Sequence, residues 1–406
     1  MTKRQIIFLT LWGCCLSAMI AGVAFIFLML EQAGSHLFWE TIPHTFPNLP
    51  SFAVPILLCS LGGILVYHLK QKWGPLPQTS HQRLAELKAL QTVDYRLIYR
   101  DLCLSLLILI LGAGVGPEAP LLGAIIAFSI WEADKLRFLK KNYSLVTQAS
   151  LTKKLQYLLH PRKYLIPYPS AKKAGETAPY KKIFNTIFII NGLILFLLLM
   201  KMTDQPSFIT KIGKSSWGKN ELLLFLPLAL YAFGFGTLYL MVKKYFFKVI
   251  SALKPSLLLK TMSGAAMIGM VGIFFPNLLF SGQHSLPLAV KLGATLPILT
   301  LIGLSLLKLL FLEVCLQTGW VGGDIFPITF ASLLHGFAIA QLFPAYDSLF
   351  IIATVSLTLA STLLENELLA LIFISLFFPL EILPLAVVLL GLFKIKNYYL
   401  TQRGKQ

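Results

Sequence analysis

Charged residues are scarce in this sequence. Asp, Glu, Lys and Arg together make up 13% of its 406 residues, whereas a soluble domain carries about 25%. Hydrophobic residues account for 56% of the chain. This balance excludes an ordinary soluble protein and predicts an all-α polytopic membrane protein, with residues 1–406 forming one transmembrane domain.

Acidic residues are scarcer still: 17 against 35 Lys and Arg, which leaves a net charge of +18. The basic residues cluster in a few polar gaps, as expected for cytoplasmic segments of a membrane protein, and no nucleic-acid-binding motif is present. The basic start, residues 1–5, predicts a cytoplasmic N-terminus for a multi-pass protein of a bacterial inner or other cell membrane. The long basic stretch 142–182 is interpreted as a cytoplasmic loop near lipid headgroups.

The chain also lacks the patterns of an enzyme or a metal site. Its five cysteines lie in apolar runs without paired metal-ligand spacing. No Ser/His/Asp set and no His-Glu-x-x-His motif is apparent, so we expect no enzymatic activity and no cofactor.

One apolar segment is broken in its middle by glycines and prolines, at residues 112–123. The apolar runs on either side, 102–111 and 121–131, are each too short to cross a bilayer, which takes about 20 residues. Pro117 suits the start of a helix, and Glu118 then lies in its first turn. Such a helix start attracts anions, so the Glu118 carboxylate can occupy an anion site, leave it or be neutralised by a proton.

A second glycine-rich break follows at residues 318–327, in the other half of the chain. Paired interrupted helices are the best sequence indication of a binding site in transporters built from inverted repeats. We therefore predict a first half at 6–182, a second half at 183–395 and a basic tail at 396–406. Two helix starts meeting in the middle of the membrane would surround an anion with backbone amides.

Four short motifs, in this order, resemble the CLC family of chloride channels and proton/chloride antiporters. Gly116-Pro-Glu-Ala-Pro120 is similar to the family's Gly-Arg-Glu-Gly-Pro, with Glu118 on the gating glutamate. The segment 276–282 resembles its Pro-x-x-x-Gly-x-Gly loop, and Lys308 a lysine that the family often carries. The segment 322–327 resembles its Gly-x-Phe-x-Pro loop.

The resemblance implies a homodimer with one anion pore per subunit, re-entrant helices meeting at the midplane, and chloride or a similar small anion as substrate. The compact chain looks like prokaryotic members without regulatory domains. The anion contacts that the resemblance implies come from Gly116, Glu118, Ala119, Gly322, Gly323, Asp324, Ile325 and Phe326.

The sequence departs from the family pattern at several of these positions. Pro117 replaces the arginine and removes an amide, and Ala119 replaces a glycine. Ile325 takes the position of the phenylalanine. Asp324 stands beside the expected anion amides, where an ionised carboxylate would repel the ion. The inner serine motif is at best vestigial, at residues 73–78.

The inner proton glutamate of the antiporters has no clear match. Candidate relay residues are Glu132, at a membrane edge, and Glu365 and Glu367, which lie deeper in an apolar run and could instead pair with Lys308 or face a water-filled vestibule. We therefore favour a channel or a weakly proton-coupled carrier over a tightly coupled antiporter. A cation or proton carrier is a further alternative, which paired helix starts disfavour.

Overall fold

The computed structural model describes residues 2–46, 48–78, 80–168, 181–203, 211–252, 254–282, 286–364 and 366–403. Within these ranges the chain is helical and contains no strand, which confirms the predicted all-α polytopic class. Six helical stretches have the length and apolar composition needed to cross a membrane. The helices are α1 (Lys3–His36), α2 (Ile42–Thr45), α3 (Ala53–Trp73), α4 (Ser80–Leu90), α5 (Ile98–Ile110), α6 (Glu118–Lys141), α7 (Tyr143–Gln148), α8 (Leu151–Leu159), α9 (Lys181–Met202), α10 (Lys219–Ala252), α11 (Leu257–Phe274), α12 (Leu286–Thr295), α13 (Ile298–Gln317), α14 (Ile325–Ala340), α15 (Ser348–Leu363), α16 (Glu367–Ser375) and α17 (Leu383–Arg403).

The chain forms two compact units. Unit 1 comprises Met1–Leu37, Leu69–Ile110 and Pro117–Pro206. In it, α1 packs along α5, α6 and α9, and α4 packs on α6. The buried Arg83 of α4 forms an ion pair with Asp101 of α5 and donates a hydrogen bond to the carbonyl oxygen of Asp94 (3.0 Å), which fastens α4 to the start of α5.

Unit 2 comprises Phe38–His68, Leu111–Gly116 and Ser207–Gln406. Its core is the helix pair α14 and α15, which α10, α12, α13 and α16 surround. Hydroxyl groups join these helices: Ser305 donates to the Ala331 carbonyl (2.8 Å), and Ser356 donates to the Ser332 carbonyl (3.0 Å). Such bonds hold helices together where apolar contact alone gives no preference over lipid.

Three stretches differ from their sequence-based description. The apolar run that carries Glu367 is divided into two helices, α15 and α16, and Asn366 caps the second by accepting a bond from the Leu369 amide (3.0 Å). The polar stretch after residue 142 contains α7 and α8. Of the predicted basic tail 396–406, the part described is helical, as the end of α17.

Candidate functional site

The two glycine-rich breaks are joined in unit 2 by a pair of backbone hydrogen bonds. The Gly116 amide donates to the Gly323 carbonyl (2.7 Å), and the Gly323 amide donates to the Gly116 carbonyl (2.6 Å). Both amides are thereby used inside the protein. We therefore assign these two glycines to joining the loops, and their amides cannot also bind an ion.

Glycine is required at this junction because the backbones approach closely. A Cβ atom on Gly322 would come 2.5 Å from Cγ2 of Val115 and 3.0 Å from the Gly116 carbonyl oxygen. Gly112 and Gly319, at the start of each loop, have φ angles of +86° and +88°, which L side chains rarely adopt. The glycine content seen in the sequence thus has a steric cause.

A third loop, 278–282, is bonded to the first of these loops. Its Phe280 amide donates to the Gly112 carbonyl (3.3 Å). The fully buried Lys308 amine of α13 donates to the carbonyls of Leu278 (2.8 Å) and Phe280 (2.5 Å). We call the three loops, 112–116, 278–282 and 319–324, the loop junction. Lys308 holds it from one side and brings a cationic side chain to it.

Two further side chains, those of Cys315 and Trp320, fix the loop junction, and no sequence pattern predicted this role. The Gly114 amide lies 3.4 Å from Sγ of the buried Cys315, and the Trp320 amide donates to the Cys315 carbonyl (2.8 Å). The buried Trp320 indole donates to the Thr261 carbonyl of α11 (3.0 Å). The loops are therefore anchored to both α11 and α13.

Two of the three loops, 112–116 and 319–324, lead directly into a helix start. Glu118, half-buried, lies in the first turn of α6, as predicted, with Pro117 as the N-cap, and α6 belongs to unit 1. In unit 2, Asp324 is the N-cap of α14, and Ile325 begins that helix. The first amides of a helix have no partner within the helix and favour negative charge. An acidic residue at each of these two places agrees with that preference.

The remaining predicted contact residues differ in burial. Ala119, Gly322 and Ile325 are half-buried. The Phe326 ring is buried and packs edge-on against Phe373 of α16, with ring centroids 5.2 Å apart. That packing ties the first turn of α14 to α16.

The candidate relay residues lie in different surroundings. Glu132 of α6 is 5% exposed, and its Oε1 has no hydrogen-bond partner among the described residues. Glu367, at the start of α16, accepts from Nζ of Lys396 and Nδ2 of Asn397, each at 2.7 Å. The suggested pairing of Glu367 with Lys308 is therefore wrong. Glu365 lies outside the described residues.

These features describe a membrane protein with two interrupted helical segments whose breaks meet, the arrangement expected of a transport protein. A family model described as voltage gated chloride channel matches residues 186–390. The chain belongs to this family, the CLC family, whose members are membrane proteins of ion transport.

Solved structures of the same fold agree with this result. A CLC-type fluoride/proton antiporter has a TM-score of 0.64 at 17% identity, covering 96% of this chain and 95% of its own. A slow cyanobacterial Cl⁻/H⁺ antiporter has a TM-score of 0.61 at 14% identity, covering 96% and 94%. A eukaryotic CLC transporter has a TM-score of 0.61 at 15% identity, covering 94% and 70%. No curated protein matches in sequence.

Proposed function

We propose that the protein transports chloride or a similar small anion past the loop junction, gated by Glu118. The observation that most supports this is the double hydrogen bond between Gly116 and Gly323. It joins the two breaks that the sequence places in different halves of the chain. A backbone arranged in this way at membrane depth is tolerated where it lines a cavity or is buried in protein.

The two helix starts favour an anion over a cation, provided that the Glu118 and Asp324 carboxylates are neutral or point away from the ion. Helix starts carry partial positive charge, and α6 and α14 each begin two residues after a bridging glycine. The Lys308 amine adds a cationic group at the loop junction. We therefore propose anion contacts within each unit: residues 118–119 at the start of α6 in unit 1, and residues 324–326 at the start of α14 in unit 2, with Gly322 allowing close approach.

Proton coupling remains the second candidate function, and Glu132 is the observation that favours it. It lies on the helix that begins with Glu118, 14 positions further on, or about 21 Å along the axis. A buried carboxylate in a membrane segment is a functional candidate by default. Glu367 is a weaker relay candidate, because Lys396 and Asn397 hold both of its oxygens. Our proposal is a channel or weakly coupled carrier, with a tightly coupled antiporter as the alternative.

The experiment is anion efflux from liposomes containing the purified protein, with chloride and fluoride measured separately and internal pH followed. Both ions are tested because the similar structures include a fluoride/proton and a Cl⁻/H⁺ antiporter. We expect anion efflux without sodium or potassium flux. Glu118→Gln is expected to keep efflux and lose its dependence on pH, since a neutral side chain cannot compete for the anion site.

Glu381→Gln is the matched control, because Glu381 is an exposed carboxylate. It should retain the wild-type response to pH. An unchanged pH response in Glu118→Gln contradicts the gate. Cation flux without anion flux contradicts the proposed function as a whole.

We further propose a homodimer with one pore per subunit, in a cell membrane with a cytoplasmic N-terminus. Lys3 and Arg4 precede the first apolar turn of α1, as expected for an inside segment. Most side chains of the apolar helix α9 are not covered by other parts of the chain, which suits contact with lipid or a second subunit. Light scattering and crosslinking in lipid test the dimer, and a monomer in both would contradict it.

A further inference from the structure

Helix α8 carries an exposed leucine stripe. Leu151, Leu155 and Leu159, four residues apart, are 75%, 45% and 48% exposed. Residues four apart lie on one face of a helix, so the three form a continuous apolar line. Leu158 beside them is buried and holds the helix to the protein. Nine residues are too few to span a bilayer, so α8 is not a transmembrane segment.

The segment around α8 is firmly attached to the end of α6. The buried Lys135 amine donates to the carbonyls of Tyr157 (2.9 Å) and Lys163 (2.7 Å). The Trp131 indole donates to the Pro161 carbonyl (3.0 Å). The leucine stripe is therefore displayed from a fixed position rather than on a free loop.

That position is level with the first turns of α1. Leu9 of α1 forms one buried cluster with Leu139 of α6 and Val146 of α7, and Tyr157 packs against the same cluster. Leu9 is six residues from the start of α1, about 9 Å along its axis. The apolar run of α1 begins at Ile6, less than one turn before Leu9, so α8 lies near the height where the chain enters the membrane.

The aromatic residues around α8 also place it at the membrane surface. Trp12 and Tyr157 pack against the cluster, and Tyr164 contacts Tyr157 with ring centroids 4.7 Å apart. Tryptophan and tyrosine concentrate at the boundary between lipid tails and water.

The charged side chains of the segment 142–168 are all of one sign. Residues 142–168 contain no Asp or Glu. The segment carries exposed or half-buried cationic side chains, and so do the start of α1 and the end of α6, which share the buried cluster with it: Lys3, Arg4, Lys140, Lys141, Lys153, Lys154, Arg162 and Lys163. An apolar stripe set among basic residues is the pattern of a helix that lies in the surface of an anionic membrane.

We propose that residues 143–168 form a membrane-surface module, in which α8 inserts its leucine stripe at the headgroup boundary of a bilayer containing anionic lipid. The module stands independently of which ion the protein carries. Its occupant is the lipid surface, because the leucine stripe supplies apolar area and the basic side chains attract negatively charged headgroups.

The test uses tryptophan reporters in the full chain, reconstituted into vesicles with bromine on the upper part of the acyl chains. Leu155→Trp places the reporter on the leucine stripe, and Gln156→Trp places it about 100° around the helix. Emission is taken as the difference from the wild type, which has six tryptophans. We expect bromine to remove most of the emission added at position 155 and much less at 156.

The lipid charge is tested by comparing phosphatidylcholine vesicles with vesicles containing phosphatidylglycerol. We expect stronger quenching at position 155 when phosphatidylglycerol is present. Replacing Lys153, Lys154, Arg162 and Lys163 by Gln should abolish that difference. Amide hydrogen exchange over 151–159 provides a second measurement and should slow in the anionic vesicles.

Three outcomes would overturn the proposal. The first is equal quenching at positions 155 and 156. The second is quenching that does not respond to phosphatidylglycerol. The third is blue-shifted emission at 155 without bromine quenching, which would place a second copy of the protein over the leucine stripe. Because no readout depends on ion flux, failure here is separate from failure of the proposed transport function.

Discussion

Lys308→Met tests whether the loop junction needs its buried amine. Methionine has a similar length and fills the same apolar space between Phe311 and Phe330, whose ring centroids lie 5.6 and 5.8 Å from the amine. It cannot donate a hydrogen bond. The carbonyls of Leu278 and Phe280 would therefore lose the bonds that hold the 278–282 loop.

The expected loss can be worked from these two bonds. Each buried acceptor left without a donor costs about 1–3 kcal/mol, so the two together cost about 2–6 kcal/mol. Removing a buried charge offsets part of this. We expect a net fall of about 2–4 kcal/mol in the free energy of unfolding, and if about 1.4 kcal/mol of it affects the conducting state, efflux falls about tenfold.

The assay compares the initial rate of chloride efflux at matched amounts of incorporated protein, together with thermal unfolding in detergent. Lys291→Met is the matched control, because Lys291 is exposed, and it should behave as the wild type. If Lys308→Met keeps both the wild-type rate and the wild-type unfolding temperature, Lys308 is not needed to hold the loop junction, and the reasoning is refuted.

Three further substitutions test other parts of the site. Gly322→Ala should stop efflux while the protein still assembles, because its methyl group would meet Val115; normal efflux would mean that the loops can separate without cost. Glu367→Gln should lower the free energy of unfolding by about 1 kcal/mol or less, because it removes the partly exposed ion pair with Lys396. It should leave the reversal potential unchanged, and a shift toward the chloride potential would make Glu367 a relay. Glu132→Gln should abolish any effect of a pH gradient on the reversal potential; a retained effect would exclude Glu132 as the relay.

The amino-acid sequence alone determined the membrane class, the two breaks and the position of Glu118. These features are local. Hydrophobic runs of sufficient length, glycines that end them and a proline before a carboxylate are all visible within a few residues of one another. Helix α6 begins at Glu118, one residue after Pro117, which keeps Glu118 in the first turn as the Gly-Pro-Glu pattern predicted.

The tertiary structure decided which groups meet. The partners of Gly116, Lys308 and Glu367 lie far along the chain, and several alternatives were chemically equivalent in the sequence. Lys396 rather than Lys308 pairs with Glu367, because α16 and α17 pack together.

Which side chains are buried could also not be predicted from the sequence. In a membrane protein, lipid-facing and interior positions are both apolar, so hydrophobic periodicity does not separate them as it does in water. The exposure of the leucine stripe on α8 and the buried position of Lys308 became visible only once the helices were packed.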